Sequence, residues 1–559
     1  MRLIVKSTTC LIVGQCLTLS HINSQNENKT KSNANELQLE AHSDSDCNDY
    51  AISLRSKNYD YVTETACNSS YFNLYQSHGD NDTSHHAIFN CKVVCSLLSN
   101  RLQGLYEKAK KRLSSSILAL GLDVGTCGSA PMPFESSTEG YTLIQSQVVF
   151  RHGARTPIRL TPGIKEASYD RRSFQAILPH TDFDFDIVDL EDNPAVGFDK
   201  SPVNKRYEST LLKGGMLGGQ LTSVGMTHCY NLGLDLRRRY IHKHKLLQNE
   251  FNAEDVYLRS TFIKRTLESL QGVVAGMFSA EHLRGLNTKP KFHIEYYTEE
   301  SIYPNIGCCQ CLKDICSHGV AHLNDTSSER AKLMAKLNQW VDFPEDHGWN
   351  IINVQDNIFT REAHGLPLPR EFEHLYDGIL RQAQLDFIQC ITGTPSDRPM
   401  GLKLAVGPFN HTVLSRMDEA LKGSTKVPKL CLYSSHDTMI MPLLLSLGCF
   451  DGNWPTYASS IAYELWKDNS SNKHFVKILF NQKELKVAGK PNVLLPYEEF
   501  REIVKPFTVD PGNFKYLCEN ARAGMDVPRI EYSTHGEGSK LDISEEDTEA
   551  KAGDTPVGM

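Results

Sequence analysis

The chain has 559 residues, 40% of them apolar, and a formal net charge of −8. That is long enough for two or three domains and apolar enough for a sizeable core. The acidic balance excludes a general nucleic-acid binder, which needs clustered Lys and Arg, and no run approaches the ~20 apolar residues of a membrane-spanning helix.

The N-terminal stretch, residues 1–139, differs in composition from the remainder of the chain and reads as an extension, largely disordered. Residues 1–25 carry Arg2, Lys6, no acidic residue and the short apolar run Cys10–Cys16, the pattern of a weak transit or signal segment. Residues 21–60 are rich in Asn, Ser, Asp and Lys and poor in aliphatics, which predicts disorder. A second targeting candidate is Lys108–Leu122, where basic residues precede Ser114-Ser115-Ser116-Ile117-Leu118.

Val148-Val149-Phe150 reads as the end of a buried strand, and Arg151-His152-Gly153-Ala154-Arg155-Thr156-Pro157 comes directly after it. Two arginines around a histidine make a poor core but a good phosphoryl site. Guanidinium groups stay charged and donate paired hydrogen bonds in one plane. Their charge penalises imidazolium, so His152 keeps a free ring nitrogen for attack on phosphorus. Gly153 is expected to take a backbone conformation that a Cβ would resist.

Further along, Cys229, Leu232, Leu236 and Tyr240 mark the apolar face of a helix whose Arg237-Arg238-Arg239 reads as a solvated face, with a membrane-surface contact as the alternative. Val256-Tyr257-Leu258 predicts a second strand, ending in Arg259-Ser260-Thr261. A helix with Leu267, Leu270, Val274 and Met277 at three- and four-residue steps comes next, Ser260 or Thr261 being its natural N-cap. Cys308-Cys309-Gln310-Cys311 with Cys316 resembles a metal cluster, but it lacks paired C-x-x-C halves; metal is not expected, and oxidised pairing stays open.

A third strand, Leu430–Tyr433, leads into Ser434-Ser435-His436-Asp437. His436 can bind a phosphoryl oxygen, and Asp437, when protonated, can give a proton to a leaving alkoxide. The three polar clusters each come after a strand, and in α/β sheets ligands bind beyond the carboxyl ends of parallel strands, so they can share one pocket. Residues 526–559 read as an acidic disordered tail. Sequons at Asn28, Asn68, Asn81, Asn324, Asn410 and Asn469 matter only in a secretory compartment.

Arg-His-Gly-x-Arg-x-Pro with a distant His-Asp resembles the histidine acid phosphatases, over residues 140–525. Thr210-Leu211-Leu212-Lys213-Gly214-Gly215-Met216 and Ala405-Val406-Gly407-Pro408-Phe409 are similar to the lysophosphatidate-hydrolysing branch of that family. The resemblance implies a mostly parallel α/β sheet flanked by helices, with a smaller, mainly helical cap inserted in it. It implies His152 as the nucleophile forming a phosphohistidine and Asp437 as proton donor. It further implies Arg151, Arg155, Arg259 and His436 as the phosphate clamp, with no metal and no cofactor. Lysophosphatidic acid is the implied substrate, its acyl groove sought in residues 158–216 or in the cap. A peripheral membrane contact, a monomer and a mitochondrial location are expected, with the secretory pathway or lysosomal lumen as the other location. A broad acid phosphatase on soluble esters, and a non-catalytic phospholipid binder on the same fold, stay open as alternatives.

Overall fold

The structure is a computed structural model. It describes residues 137–521 except 196–203, 206, 208, 327, 342–350 and 425, and, before them, only the backbone of short strands. Both targeting candidates and the acidic tail lie outside the described residues, save for the two-residue strand Leu3–Ile4.

The chain divides into two units, residues 1–114 with 123–130, and residues 115–122 with 131–559. In the first unit, strands between residues 3 and 90 form a six-stranded sheet in chain order, antiparallel from Leu37–Ser43 onward. Two of these strands, Leu37–Ser43 and Tyr50–Ser56, fall in the stretch expected to be disordered. The alternation Leu37, Leu39, Ala41 and Tyr50, Ile52, Leu54 is the period-two signal that average composition conceals.

The second unit is built on nine strands: β1 (Tyr141–Arg151), β2 (Asp186–Val188), β3 (Val256–Ser260), β4 (Lys291–His293), β5 (Leu430–Ser435), β6 (Ser460–Asp468), β7 (His474–Phe480), β8 (Lys483–Glu484) and β9 (Leu494–Pro496). Their order is β8-β7-β6-β1-β5-β3-β4-β2, with β9 on β7. The run β1-β5-β3-β4-β2 is parallel. From β6 onward the neighbours are antiparallel, so the sheet is mixed. β6 already runs antiparallel to β1, and the short turn after it, where the Asp468 carboxylate accepts from Ser470 and Ser471, brings β7 back antiparallel to β6.

Helices cover both faces. Val148 and Phe150 of β1, with Leu430 and Leu432 of β5, pack on α1 (Ser223–Arg237) and α2 (Lys264–Phe278). Val149, Cys431 and Tyr433 face the opposite layer. Helices α1 and α2 meet at glycines: a Cβ on Gly233 would lie 2.2 Å from the Val273 carbonyl oxygen, and one on Gly276 2.2 Å from that of Tyr230.

Between β4 and β5 the chain leaves the sheet to form α3 (Gln310–Thr326), α4 (Ser328–Leu337), α5 (Ile351–Ala363) and α6 (Tyr376–Thr392). Several of these helices share a small core of their own, including Leu337, Val354, Ile358, Phe372 and Ile379, which makes the insertion a helical cap. The chain then returns through α7 (Arg398–Leu421), β5 and α8 (Asp437–Ser446), and ends with α9 (Tyr497–Val504) and α10 (Pro511–Asn520). Disulfides join Cys316 of α3 to Cys390 of α6, and Cys309 to Cys518 of α10. Thus two members of the apparent metal cluster pair with distant partners.

Two surface expectations are corrected. Arg239 is 3% exposed and makes a two-fold ion pair with Glu464 of β6, itself fully buried. The solvated-face reading holds for Arg238 alone, because α1 passes at Arg238–Lys243 into a wider helix that turns Arg239 inward. The sequon Asn410 is buried in α7 and donates to the Phe507 carbonyl, which leaves no room for a glycan. Glu464→Gln is expected to lower stability by roughly 3 kcal/mol, because the Arg239 charge would lose its partner in a dry site. Chemical denaturation of both proteins checks this, with turnover per folded molecule unchanged.

Candidate active site

The strand ends converge as the clusters require. Strands β1, β5 and β3 are adjacent and in register, Ser435 opposite Arg151 and Tyr433 opposite Arg259. Arg151, His152 and His436 therefore emerge at one edge, each 4% exposed or less.

His152 Nδ1 lies 2.8 Å from the carbonyl oxygen of Gly153, which can only accept. The proton of the neutral ring is thus on Nδ1, and Nε2 keeps its lone pair. Burial pushes the imidazole well below its ordinary pKa, and the charges of Arg265, Arg155, Arg151 and His436 add to that.

Gly153 does not have the positive φ that would demand glycine. Its role is close approach. A Cβ there would lie 2.1 Å from the Gly225 carbonyl oxygen, and one on Gly225 2.0 Å from that of Ala154. The motif loop rests directly on the first turn of α1, where Thr222 caps the helix and its backbone N–H and hydroxyl both reach the Ala154 carbonyl.

Each arginine is aimed by a partner. Arg151 pairs with Asp437 at 2.7 Å and donates to the Pro455 carbonyl. Arg155 pairs with Asp356 at 2.8 Å. Asp356 belongs to α5, so the cap itself positions the second arginine of the motif, and the same carboxylate accepts from Ile158 N.

Arg259 behaves otherwise than the resemblance implied. Its Nη2 is committed to Glu295, Glu300 and Ser301. Arg265, six residues on, heads the charges acting on His152, and Arg259 is not among the four strongest. Arg265 is 4% exposed, lies against the Tyr207 ring, and has Nε and Nη1 shielded and unpartnered among the described residues. Arg151 Nε and Arg155 Nε are also shielded and unpartnered; so is Arg259 Nε. Buried donors without acceptors are rare, and those around His152 define an anion site.

The N-cap expectation for α2 is corrected too. The cap position is Ile263, without a side-chain bond, while Thr261 Oγ1 meets Thr266 and His436 Nε2. A sequence signal for Arg265 existed: it sits in the first turn of α2, where the helix dipole opposes a cation. The cap residue Asp356 had no such signal.

Asp437 accepts from Trp454 Nε1 at 2.8 Å as well as from Arg151. Burial would raise its carboxyl pKa, but Arg151, Trp454 and Arg155 together hold it below the ordinary range. His436 is pushed well below its ordinary pKa by burial and by Arg265.

The chain matches the histidine phosphatase superfamily, branch 2, over residues 142–481. It belongs to that family. Human lysophosphatidic acid phosphatase type 6 is 31% identical over 386 residues, covering 68% of this chain and 87% of the relative. Bovine lysosomal acid phosphatase is 26% identical over 341 residues, covering 56% and 75%. Among solved structures, the apo form of Hafnia alvei phytase is 14% identical, with a TM-score of 0.44, and covers 67% of this chain and 98% of that one. As a histidine acid phosphatase the chain has both a buried histidine after β1 and an acid after β5, and it is read as an enzyme. No helix among the described residues is long and apolar enough to cross a membrane.

Proposed function

We propose that the chain hydrolyses lysophosphatidic acid to monoacylglycerol and phosphate through a phosphohistidine on His152. The observation that carries the mechanism is the His152 Nδ1 bond to Gly153, which leaves Nε2 as nucleophile among unpartnered guanidinium donors. In the first step Nε2 bonds to phosphorus as the ester P–O bond breaks, and Asp437 passes a proton to the leaving oxygen. In the second, water attacks phosphorus, its proton passes to Asp437, the P–N bond breaks, and phosphate leaves with that proton, which restores the carboxylate. Arg151, Arg155 and Arg265 neutralise the phosphoryl oxygens. His436, held neutral by burial and by Arg265, becomes a charged donor when a phosphoryl dianion offsets those influences.

Since Asp437 is held as a carboxylate, the proton it gives comes with the substrate. A phosphate monoester keeps one proton below a second pKa of about 6. The monoanion can leave that proton on Asp437, which fits an acid optimum.

The lysophosphatidate assignment rests on similarity to the branch that bears that name, over 87% of the human relative. A surface depression of about 700 Å³, lined by Asp170, Arg171, Arg172, Gln175, Ile177 and the Gly214-Gly215 turn, lies within the segment expected to form the acyl groove. Its lining mixes apolar surface, Ile177 included, with Arg171, Arg172 and Asp170, and we assign it to the peripheral membrane contact. The two disulfides favour an oxidising lumen over the mitochondrial location. A thiol count by mass spectrometry on protein from its native cells tests that placement; four extra free thiols would reverse it.

The test of function is phosphate release by the full chain at acidic pH with a chelator present. Lysophosphatidic acid, phosphatidic acid and an aryl phosphate would be compared. Preference for lysophosphatidic acid supports the reading. Turnover of the aryl ester alone keeps the phosphatase and discards the lipid, and no turnover at all favours a phospholipid binder.

The clamp is tested separately. Arg265→Ala is expected to lower kcat/KM about a hundredfold, the loss of one charged transition-state donor. Arg259→Ala is expected to lower stability, because Glu295 and Glu300 lose their shared cation, with a smaller effect on turnover per folded molecule. Equal kinetic losses in the two variants would return Arg259 to the clamp.

A further inference from the structure

Residues 454–459 border the pocket just before β6, with Trp454 packed on the cap core. Trp454 holds Asp437, the Pro455 carbonyl takes Arg151, and Ser459 O accepts from Arg151 N at 2.9 Å. Ala458 N donates to His152 O at 3.2 Å from a left-handed φ of 58°, a conformation that a side chain disfavours. Tyr457 sits at the middle of this tied-down stretch.

Its ring centroid is 4.2 Å from the Arg151 guanidinium carbon and 6.0 Å from the His152 ring. The ring is half-buried, but its hydroxyl oxygen is shielded from solvent and has no hydrogen-bond partner among the described residues. Buried tyrosine hydroxyls ordinarily find one. Arg155 and Arg151 are the positive charges that act most on this hydroxyl, and Asp356 and Asp437 the negative ones. Burial keeps it protonated against the pull of the arginines.

We propose that the Tyr457 hydroxyl donates a hydrogen bond to an equatorial phosphoryl oxygen, as a neutral member of the clamp alongside Arg151, Arg155 and Arg265. This rests on the phosphohistidine reading of His152. A neutral donor suits this place: a fourth cation would further depress His152, whereas a hydroxyl strengthens as charge gathers on the oxygens in the transition state. The ring also keeps Arg151 flat, so the hydroxyl and the ring have separable effects.

The decisive variant is Tyr457→Phe, which removes one oxygen and keeps the ring. It is expected to lower kcat/KM for an aryl phosphate about tenfold, the value of one hydrogen bond to a charged group. Inhibition by vanadate, which takes the five-coordinate geometry of the transition state, is expected to weaken by a similar factor, with the melting temperature unchanged. Tyr457→Phe with unaltered kcat/KM and vanadate inhibition, beside a damaged Tyr457→Ala, would overturn the proposal and leave only a packing role for the ring. Rapid alkaline quench of the natural protein, which preserves a P–N bond, separates the two levels of inference. A phosphoenzyme labile to acid and stable to base retains the mechanism whatever Tyr457→Phe does; its absence, with turnover present, would remove the mechanism and this proposal with it.

Discussion

Replacing His152 by Ala is expected to lower kcat by about ten-thousand-fold or more, the scale of removing the nucleophile from a unit whose other members stay in place. The fold should survive. His152 is buried, but among the described side chains its contacts are ring contacts with His436 and Tyr457, and its Nδ1 bond goes to the adjacent Gly153 carbonyl. Removing it also removes an imidazole that its surroundings disfavour in charged form. The check is phosphate release and trapped phosphoenzyme, with circular dichroism to confirm folding. Added imidazole should restore part of the turnover by occupying the space between Arg151 and Arg155. Substantial unaided activity would show that another group attacks phosphorus.

Asp437→Asn is expected to slow alkyl phosphates by about a thousandfold, within the range of general acid catalysis, and aryl phosphates far less. A phenolate leaves without help, whereas a glyceryl alkoxide does not. The pH profile gives a second reading. In the native protein kcat/KM for an alkyl ester should fall as pH rises through about 6, where the substrate loses the proton that Asp437 would receive. In Asp437→Asn that dependence should flatten, because the amide cannot relay a proton. Equal slowing of both ester classes would leave Asp437 as only the partner that aims Arg151.

Much of this site was legible in the chain. The strand ends at Val148-Val149-Phe150, Val256-Tyr257-Leu258 and Leu430–Tyr433 are short apolar runs closed by polar clusters, and the structure makes them adjacent parallel strands. Hydrophobic patterning marks such strands strongly. It says nothing about which guanidinium turns inward, since that depends on where the acids stand. Arg259 lies near the end of its strand as Arg151 does, yet Glu295 and Glu300 claim its Nη2. Arg265 carries only a faint local signal, a cation in the first turn of a helix whose cap offers no side-chain bond. Asp356 and Tyr457 reach the pocket only through tertiary docking, about 200 and 300 residues from the motif, a separation that local spacing cannot bridge. The close approach at Gly153 and Gly225 is likewise a contact between segments, not a local backbone demand.

The position of β1 in its sheet bears on how the protein is made. β1 is the first strand of the catalytic unit to leave the ribosome, and its two neighbours, β5 and β6, begin at residues 430 and 460. At ~5–20 residues per second, roughly 280 residues of synthesis separate the end of β1 from β5, or about 15–60 seconds. Throughout that interval Val148, Val149 and Phe150 have neither pairing edge covered. Nascent chains of this protein are therefore expected to engage chaperones early and to release them only when β5 and β6 close the sheet. Truncation anywhere before β6 should yield aggregate rather than a smaller folded domain.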